Sequence, residues 1–232
     1  MHFRLEYFFK YFIKLFPYLR ITFSYVLVSL LVGIVSGFFL AWFKVGKSRV
    51  LRAVGNVYTA LFRSIPPVVL LFLVYYGLPV VSEGLFGVSL RDKTVLFFVI
   101  VTVSLLASAS VSETMRSAYK SVDKGQYEAA VSIGLSPLSA FTRVVFPQAL
   151  FHAIPSFGNL VTYLIKEGSL GFTIGLVDIF GKANTLNQNT YSNYILEIYI
   201  SLALIYWLVA VGIEQLLKLL ENRVSTHKTA KT

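Results

Sequence analysis

Five stretches of this chain are long enough and apolar enough to cross a lipid bilayer, and they leave few folds open. Ile21 to Phe43, Ser64 to Ser82 and Thr94 to Ser112 carry no charged side chain. Val144 to Ile165 is uncharged apart from His152 when protonated, and Ile195 to Ile213 contains only Glu197. A transmembrane helix needs about 20 mostly apolar residues. Strands of a membrane barrel would alternate apolar and polar positions with period two, and these runs do not. Lipid offers backbone N–H and C=O groups no partners, so a span outside a barrel must be helical. The expected fold class is all-α, with five transmembrane helices, the second of which can begin earlier, near Val54. Composition agrees. Of the 232 residues, 56% are hydrophobic and 14% are charged, against about 25% charged in a soluble domain.

The remaining charges set an expected topology. The formal net charge is +10, but the basic residues flank apolar spans. That reads as membrane orientation and lipid headgroup contact, not nucleic-acid binding. Lys44, Lys47, Arg49, Arg52, Arg116, Lys120, Lys124, Arg143, Lys218, Arg223, Lys228 and Lys231 fall on one side. Arg4, Lys10, Lys14, Arg20, Arg91, Lys93 and Lys182 fall on the other. The positive-inside bias puts the first set, the C-terminus and the loop between spans three and four in the cytoplasm, with the N-terminus outside. Residues 1–20 weigh against this, since an inside N-terminus would remove one span. They read as an amphipathic segment lying in the interface, with Leu5, Phe8, Phe9, Phe12, Ile13 and Phe16 at helical spacing and Lys10 and Lys14 opposite. Charges interleaved with aromatics do not read as a signal peptide. Residues 21–220 form the membrane domain and residues 221–232 a basic cytoplasmic tail. The chain has no cysteine, which excludes disulfides, thiol catalysis and Cys-based metal sites.

The loop over residues 123–147 is more ordered than a connector needs to be. Asp123 can cap a helix, and Gln126 stands three residues on, as in a capping box. Glu128 falls in the early turns, where the helix dipole favours an anion. Ala129 and Ala130 leave a smooth surface, and Gly134 followed by Ser136 and Pro137 ends the helix. A second short helix, Leu138 to Phe146, leads to Pro147, which can open span four. Physics alone leaves two readings open: a helical elbow that docks another protein, or an ordinary connecting loop.

Glu128-Ala129-Ala130, Gly134 four residues on and then Pro147 resemble the EAA loop of ABC-importer permease subunits. The longer form, from Gly125-Gln126-Tyr127 to Phe146-Pro147-Gln148-Ala149-Leu150, is similar to the polar-amino-acid branch (histidine, glutamine, arginine, cystine, opines). In order along the chain, Arg63-Ser64-Ile65-Pro66 resembles that branch's R-G-T-P and is followed by Tyr75-Tyr76-Gly77-Leu78-Pro79. Glu113, Arg116 and Ser121-Val122 resemble E-x-x-R…S-V. Lys166-Glu167-Gly168-Ser169-Leu170 resembles K-D-T-S-L. Ser64, Ile65, Gly168 and Ser110 depart from the pattern. The resemblance covers about residues 15 to 220. It implies a coupling helix, with Gly125, Glu128, Ala129, Ala130, Gly134 and Pro147 contacting a separate cytoplasmic ATPase. The implied partners are two ABC ATPase subunits, a second permease (this chain or a homologue), an extracytoplasmic binding protein, a polar amino acid and membrane lipid. The implied location is the bacterial cell membrane. The chain has no GxxxxGK[ST] phosphate loop, so no cofactor is expected on it, and ATP and Mg belong to the ATPases.

Charges within a bilayer are costly and usually face a cavity or a partner. A zwitterion needs a cation for its carboxylate and an acceptor for its ammonium. Arg63, Glu113, Lys166 and Glu167 are the candidate pathway residues. Glu113 can instead salt-bridge Arg116 at i,i+3 spacing, and Lys166–Glu167 can be a structural or gating pair. Arg116 reads as a snorkelling residue. Glu197 reads as exposed at the interface, His152 and Asn159 as polar groups on one face of span four, and Asn184 to Asn193 as an outer loop. The alternative class is an ion-coupled secondary amino-acid transporter, for which inverted repeats would be the signature.

Overall fold

The computed structural model describes residues 3–229, with side chains described through Leu219; of the expected basic tail, residues 221–229 continue the last helix and residues 230–232 lie outside what is described. The helices are α1 (Leu5–Leu15), α2 (Leu19–Val45), α3 (Arg49–Ser64), α4 (Pro67–Phe72), α5 (Leu78–Phe86), α6 (Val95–Ser121), α7 (Lys124–Ser132), α8 (Pro137–Ala140), α9 (Phe146–Gly168), α10 (Ile179–Asn189) and α11 (Ile195–Thr229). A π turn, Leu73–Gly77, joins α4 to α5, and another, Phe141–Val145, joins α8 to α9. Five helical segments are long and apolar enough to span a membrane: Leu5–Val45, Pro67–Phe86, Val95–Ser121, Pro137–Ile174 and Ile195–Leu219. They overlap the five apolar runs of the sequence, but the second starts at Pro67 and not near Val54, because extended Ile65 and Pro66 break α3 from α4.

The central seam is α2 against α6. Every fourth residue of α2 that faces α6 is small: Ser29, Gly33, Gly37 and Ala41 are all buried. A Cβ on Gly33 would lie 2.5 Å from the Ala107 Cβ, and one on Gly37 would lie 2.8 Å from the Val111 Cβ. Close backbone approach through small residues is how helices gain packing where lipid removes the hydrophobic drive. Around this seam Tyr25, Val26, Val99, Val103, Leu106 and Leu164 form the main core.

A second core joins α1, α10 and α11 through Tyr11, Leu15, Ile179, Ala183, Ile198 and Ile205. The N-terminal helix therefore has two apolar faces. Of the expected apolar stripe Leu5, Phe9, Ile13 and Phe16 are exposed and Phe8 and Phe12 are half-buried, while Tyr11 and Leu15 are buried in the bundle. Pro17 does not end the helix. It falls in a single 3₁₀ turn, Phe16–Tyr18, where its missing N–H costs little. Glu197 corrects the sequence reading: it is 4% exposed, and its Oε1 accepts the Arg4 backbone N–H at 2.9 Å. Most of the Asn-rich run is also not loop, because Asp178 caps α10 and Ile179, Ala183 and Leu186 bury one face of it. His152 and Asn159 are exposed on α9.

Candidate functional site

Only Val122 and Asp123 separate α6 from α7. The Asp123 carboxylate accepts the Gly125 N–H at 2.6 Å and so caps α7. Gln126 does not complete a capping box: its Oε1 lies 3.5 Å from Gln148 Nε2 and ties the first turn of α7 to the first turn of α9. At the other end Gly134 has φ +89°. The Leu135 N–H bonds to the Ala130 carbonyl at 3.2 Å and the Gly134 N–H to that of Val131 at 2.9 Å. This is a Schellman motif with glycine in its left-handed position. Ser136 then caps α8, accepting the Ser139 N–H at 3.3 Å.

The elbow has its own small core of Ala130, Ala140 and Val145, each at most 4% exposed. Gly125, Glu128, Ala129 and Gly134 are exposed, as the expected contact face requires. Ala130 is not. It is the one buried residue of α7, while Gln126, one turn earlier on the same side, is exposed and reaches Gln148. Pro147 is exposed in the first turn of α9 and does not begin a new helix: the chain is helical from Pro137 through the π turn into α9.

Of the four expected pathway residues, Glu113 lies in one cluster and Lys166 and Glu167 in another, and the Arg63 charge acts on both, on Lys44 beside Glu113 and on Tyr163 beside Glu167. The Glu113 carboxylate lies between two cations. Its Oε2 is 3.0 Å from Lys44 Nζ, and its Oε1 accepts from Arg116 Nε at 2.9 Å and also from Nη2. Lys44 also donates to Ser112 Oγ at 3.0 Å, and Ser112 Oγ lies 3.3 Å from Thr59 Oγ1. This polar cluster pins α2, α3 and α6 together. Lys44 was counted from sequence only as a topology charge. Its four-carbon stem lets a residue at the end of one helix reach two turns into its neighbour.

The second group lies at the far end of α9, about 35 Å along a helix of this length. Glu167 is half-buried and Lys166 is exposed. Among the described residues they form no ion pair with each other. The Tyr163 hydroxyl, one turn before Glu167, feels both the Glu167 carboxylate and the Arg63 guanidinium, which brings α3 toward this group. A crevice lined by Pro67, Thr102, Glu167 and Gly168 holds about 10 Å³. That is room for one water at most and not for an amino acid.

A third cluster was not anticipated. Asp178, fully buried at the start of α10, accepts from Tyr25 Oη at 3.3 Å, Thr22 Oγ1 at 3.4 Å and the Gly181 N–H at 2.9 Å. Burial raises its carboxyl to about 6, and hydrogen bonds from the Gly181 N–H, Tyr25, Thr22 and the Phe180 N–H only partly offset this. The usable sequence signal was an aspartate three residues before a glycine at a helix start.

The fold and its elbow define a class: a multi-pass, all-helical membrane protein with a rigid helical elbow between its third and fourth spans. The chain belongs to the family of binding-protein-dependent transport system inner membrane components, whose sequence model matches residues 29–226. It is 40% identical over 212 residues to the L-cystine transport system permease protein TcyL of Bacillus subtilis (strain 168), covering 91% of this chain and 87% of that one. It is 33% identical over 222 residues to the nopaline transport system permease protein NocM of Agrobacterium fabrum (strain C58), covering 94% and 90%. Its fold matches the crystal structure of an amino acid ABC transporter with histidines at TM-score 0.81 and 28% identity, covering 96% of this chain and 100% of that one. The inward-facing MetNI methionine ABC transporter shares the fold at TM-score 0.68 and 17% identity, over 90% of this chain and 94% of that one.

Proposed function

We propose that this chain is the membrane-spanning subunit of an ATP-driven importer of polar amino acids. Relatives are named for cystine, glutamine and nopaline transport, which supports a zwitterionic, amino-acid-derived solute. The observation that carries the reading is the elbow: a capped helix exposed everywhere but at Ala130, seated on a small core and joined with almost no slack to α6 and α9. A partner ATPase that moves α7 must move both spans.

In this reading the elbow and the C-terminus are cytoplasmic and the N-terminus is outside. Two ATPases hold the ATP and Mg, and their closure draws together the α7 helices of this chain and of a second permease. Gly125, Glu128, Ala129 and Gly134 form the contact face, while Ala130 and Pro147 keep the elbow in shape. A binding protein delivers the amino acid to the outer ends of the spans. Arg63, Lys166 and Glu167 supply a cation for the carboxylate and an acceptor for the ammonium. The narrow crevice at Glu167 fits a closed pathway that opens when the two permeases rock apart. Glu113 contributes by holding α2 against α6, since both of its oxygens are already engaged.

The test is reconstitution in lipid vesicles with the candidate ATPase and binding protein. Uptake of radiolabelled L-cystine, L-glutamine, L-arginine and L-histidine is measured with and without ATP. Uptake that needs ATP and all components is expected. Uptake by this chain alone under an ion gradient would establish the secondary transporter instead.

A further inference from the structure

Gly168 follows Glu167 directly, and its backbone does not explain its identity. Its φ of −63° is ordinary helix, which any residue adopts. Space explains it. A Cβ at this position would lie 2.7 Å from Tyr25 Cζ and 2.8 Å from Tyr25 Oη. The ring of Tyr25, a fully buried residue of α2, occupies the volume a side chain at 168 would need. The ring is fixed at its other end, because its hydroxyl donates to the Asp178 Oδ2 at 3.3 Å beside the Thr22 hydroxyl. The Asp178 Oδ1 in turn accepts the Gly181 N–H at 2.9 Å. One side chain of α2 therefore touches the last turn of α9 and the cap of α10, the two ends of the segment that leaves Glu167.

We propose that Tyr25 is a positioning residue for transport: its ring, seated on Gly168 and anchored on Asp178, holds the turn that aims Glu167 into the crevice with Pro67 and Thr102. Tyr25 and Gly168 are then a matched pair, and volume can be exchanged between them. The proposal rests on the reading of Glu167 as a pathway residue. The carboxylate needs a fixed direction to accept an ammonium, and the short 3₁₀ turn that follows α9, Ser169–Ile174, packs Leu170 and Ile174 into the same core as Tyr25, so the whole turn after Glu167 is held on that ring and its neighbours.

The experiment uses the full complex in vesicles. It measures KM and the maximal rate for whichever of the four radiolabelled amino acids the wild type carries. The variants are Gly168→Thr, Tyr25→Ala, the double Tyr25→Ala/Gly168→Thr, Tyr25→Phe and Glu167→Gln. Tyr25→Ala is expected to raise KM at least about tenfold, with a smaller change in maximal rate. Gly168→Thr is expected to be worse than the double variant, in which the threonine fills the vacated ring space and returns KM to within about threefold of wild type. Tyr25→Phe keeps the ring and is expected to raise KM by less than Tyr25→Ala. Thermal unfolding of each purified variant separates loss of fold from loss of position. If Glu167→Gln changes KM but the double variant is no better than Gly168→Thr, the positioning role is overturned and the pathway reading stands. If Glu167→Gln leaves KM unchanged, the pathway reading fails and the positioning role falls with it.

Discussion

Lys44 and Glu113 lie 69 positions apart in sequence and 3.0 Å apart in space, and the Lys44 side chain is only 1% exposed. A buried ammonium is stable only while paired. Removing the carboxylate leaves Lys44 uncompensated, whereas removing Lys44 leaves Glu113 with Arg116. Glu113→Gln is therefore expected to cost about 3 kcal/mol and Lys44→Met less. The double variant should fall well short of the sum of the two. Thermal unfolding of the four proteins in detergent measures the coupling, and simple additivity would show that the pair does not hold α2 to α6.

The α2–α6 seam makes a sharper steric prediction. One methyl at position 37 would come 2.8 Å from both the Cβ and the Cγ1 of Val111, and alanine at 111 would remove the second of these contacts. Gly37→Ala should destabilise by about 1–3 kcal/mol, the range for overpacking a core. Val111→Ala in the same chain should recover part of that loss. Leu31→Ala, on the exposed side of the same helix, should change stability by no more than about 0.5 kcal/mol. Equal effects at 31 and 37 would place the seam elsewhere.

These two contacts mark where sequence reading stops. The five spans were legible because uncharged 20-residue runs have few other physical explanations. The elbow was legible because capping and breaking residues act within a few positions: Asp123, Gly134 and Ser136 do locally what their chemistry suggests. Lys44 was not legible, because a lysine at the end of a span reads the same whether it meets headgroups or reaches back to a carboxylate on another helix. Glu197 was missed for the complementary reason: its partner is the backbone N–H of Arg4, which carries no sequence signal. Ala129 and Ala130 are chemically alike in sequence, and only the roll of α7 makes one exposed and the other buried. Gly168 was seen as a departure from the family pattern, but its cause, Tyr25, lies 143 residues earlier.

Asp178 gives a pH dependence. Its carboxyl, near 3.8 in an unfolded chain, is raised to about 6 by burial. The groups facing it are Tyr25 and Thr22 of α2 and Tyr206 of α11, none of them cationic. The folded protein therefore binds this proton more tightly than the unfolded chain does. The stabilisation is fully present below pH 3.8 and is lost as pH rises through about 6. Between pH 5 and 7.5 the wild type should lose about 1–2 kcal/mol from this group. Asp178→Asn, whose side-chain oxygen can still cap the Gly181 N–H, should flatten that part of the profile. Thermal midpoints of both proteins across this range decide it, and parallel curves would show that Asp178 does not titrate there.

Ala129 and Ala130 are adjacent, identical and predicted to behave oppositely. Ala130 is 4% exposed and packs inside the elbow near Ala140 and Val145, whereas Ala129 faces outward beside Glu128. A leucine at 130 has no space, so Ala130→Leu should loosen the elbow and cost about 1–3 kcal/mol in stability. Ala129 is exposed, so Ala129→Leu should leave the thermal midpoint within about 2 °C of wild type, as surface changes usually do. If the outward face of α7 seats in a partner ATPase, Ala129→Leu should nonetheless reduce substrate-stimulated ATP hydrolysis in the assembled complex about tenfold or more, through steric mismatch at a close-packed contact. Membrane insertion should be normal for both. The pair separates two failures that a single elbow mutation would confuse, an elbow that no longer holds its shape and an intact elbow that no longer fits. Full coupling with leucine at 129 would move the contact off this face of α7.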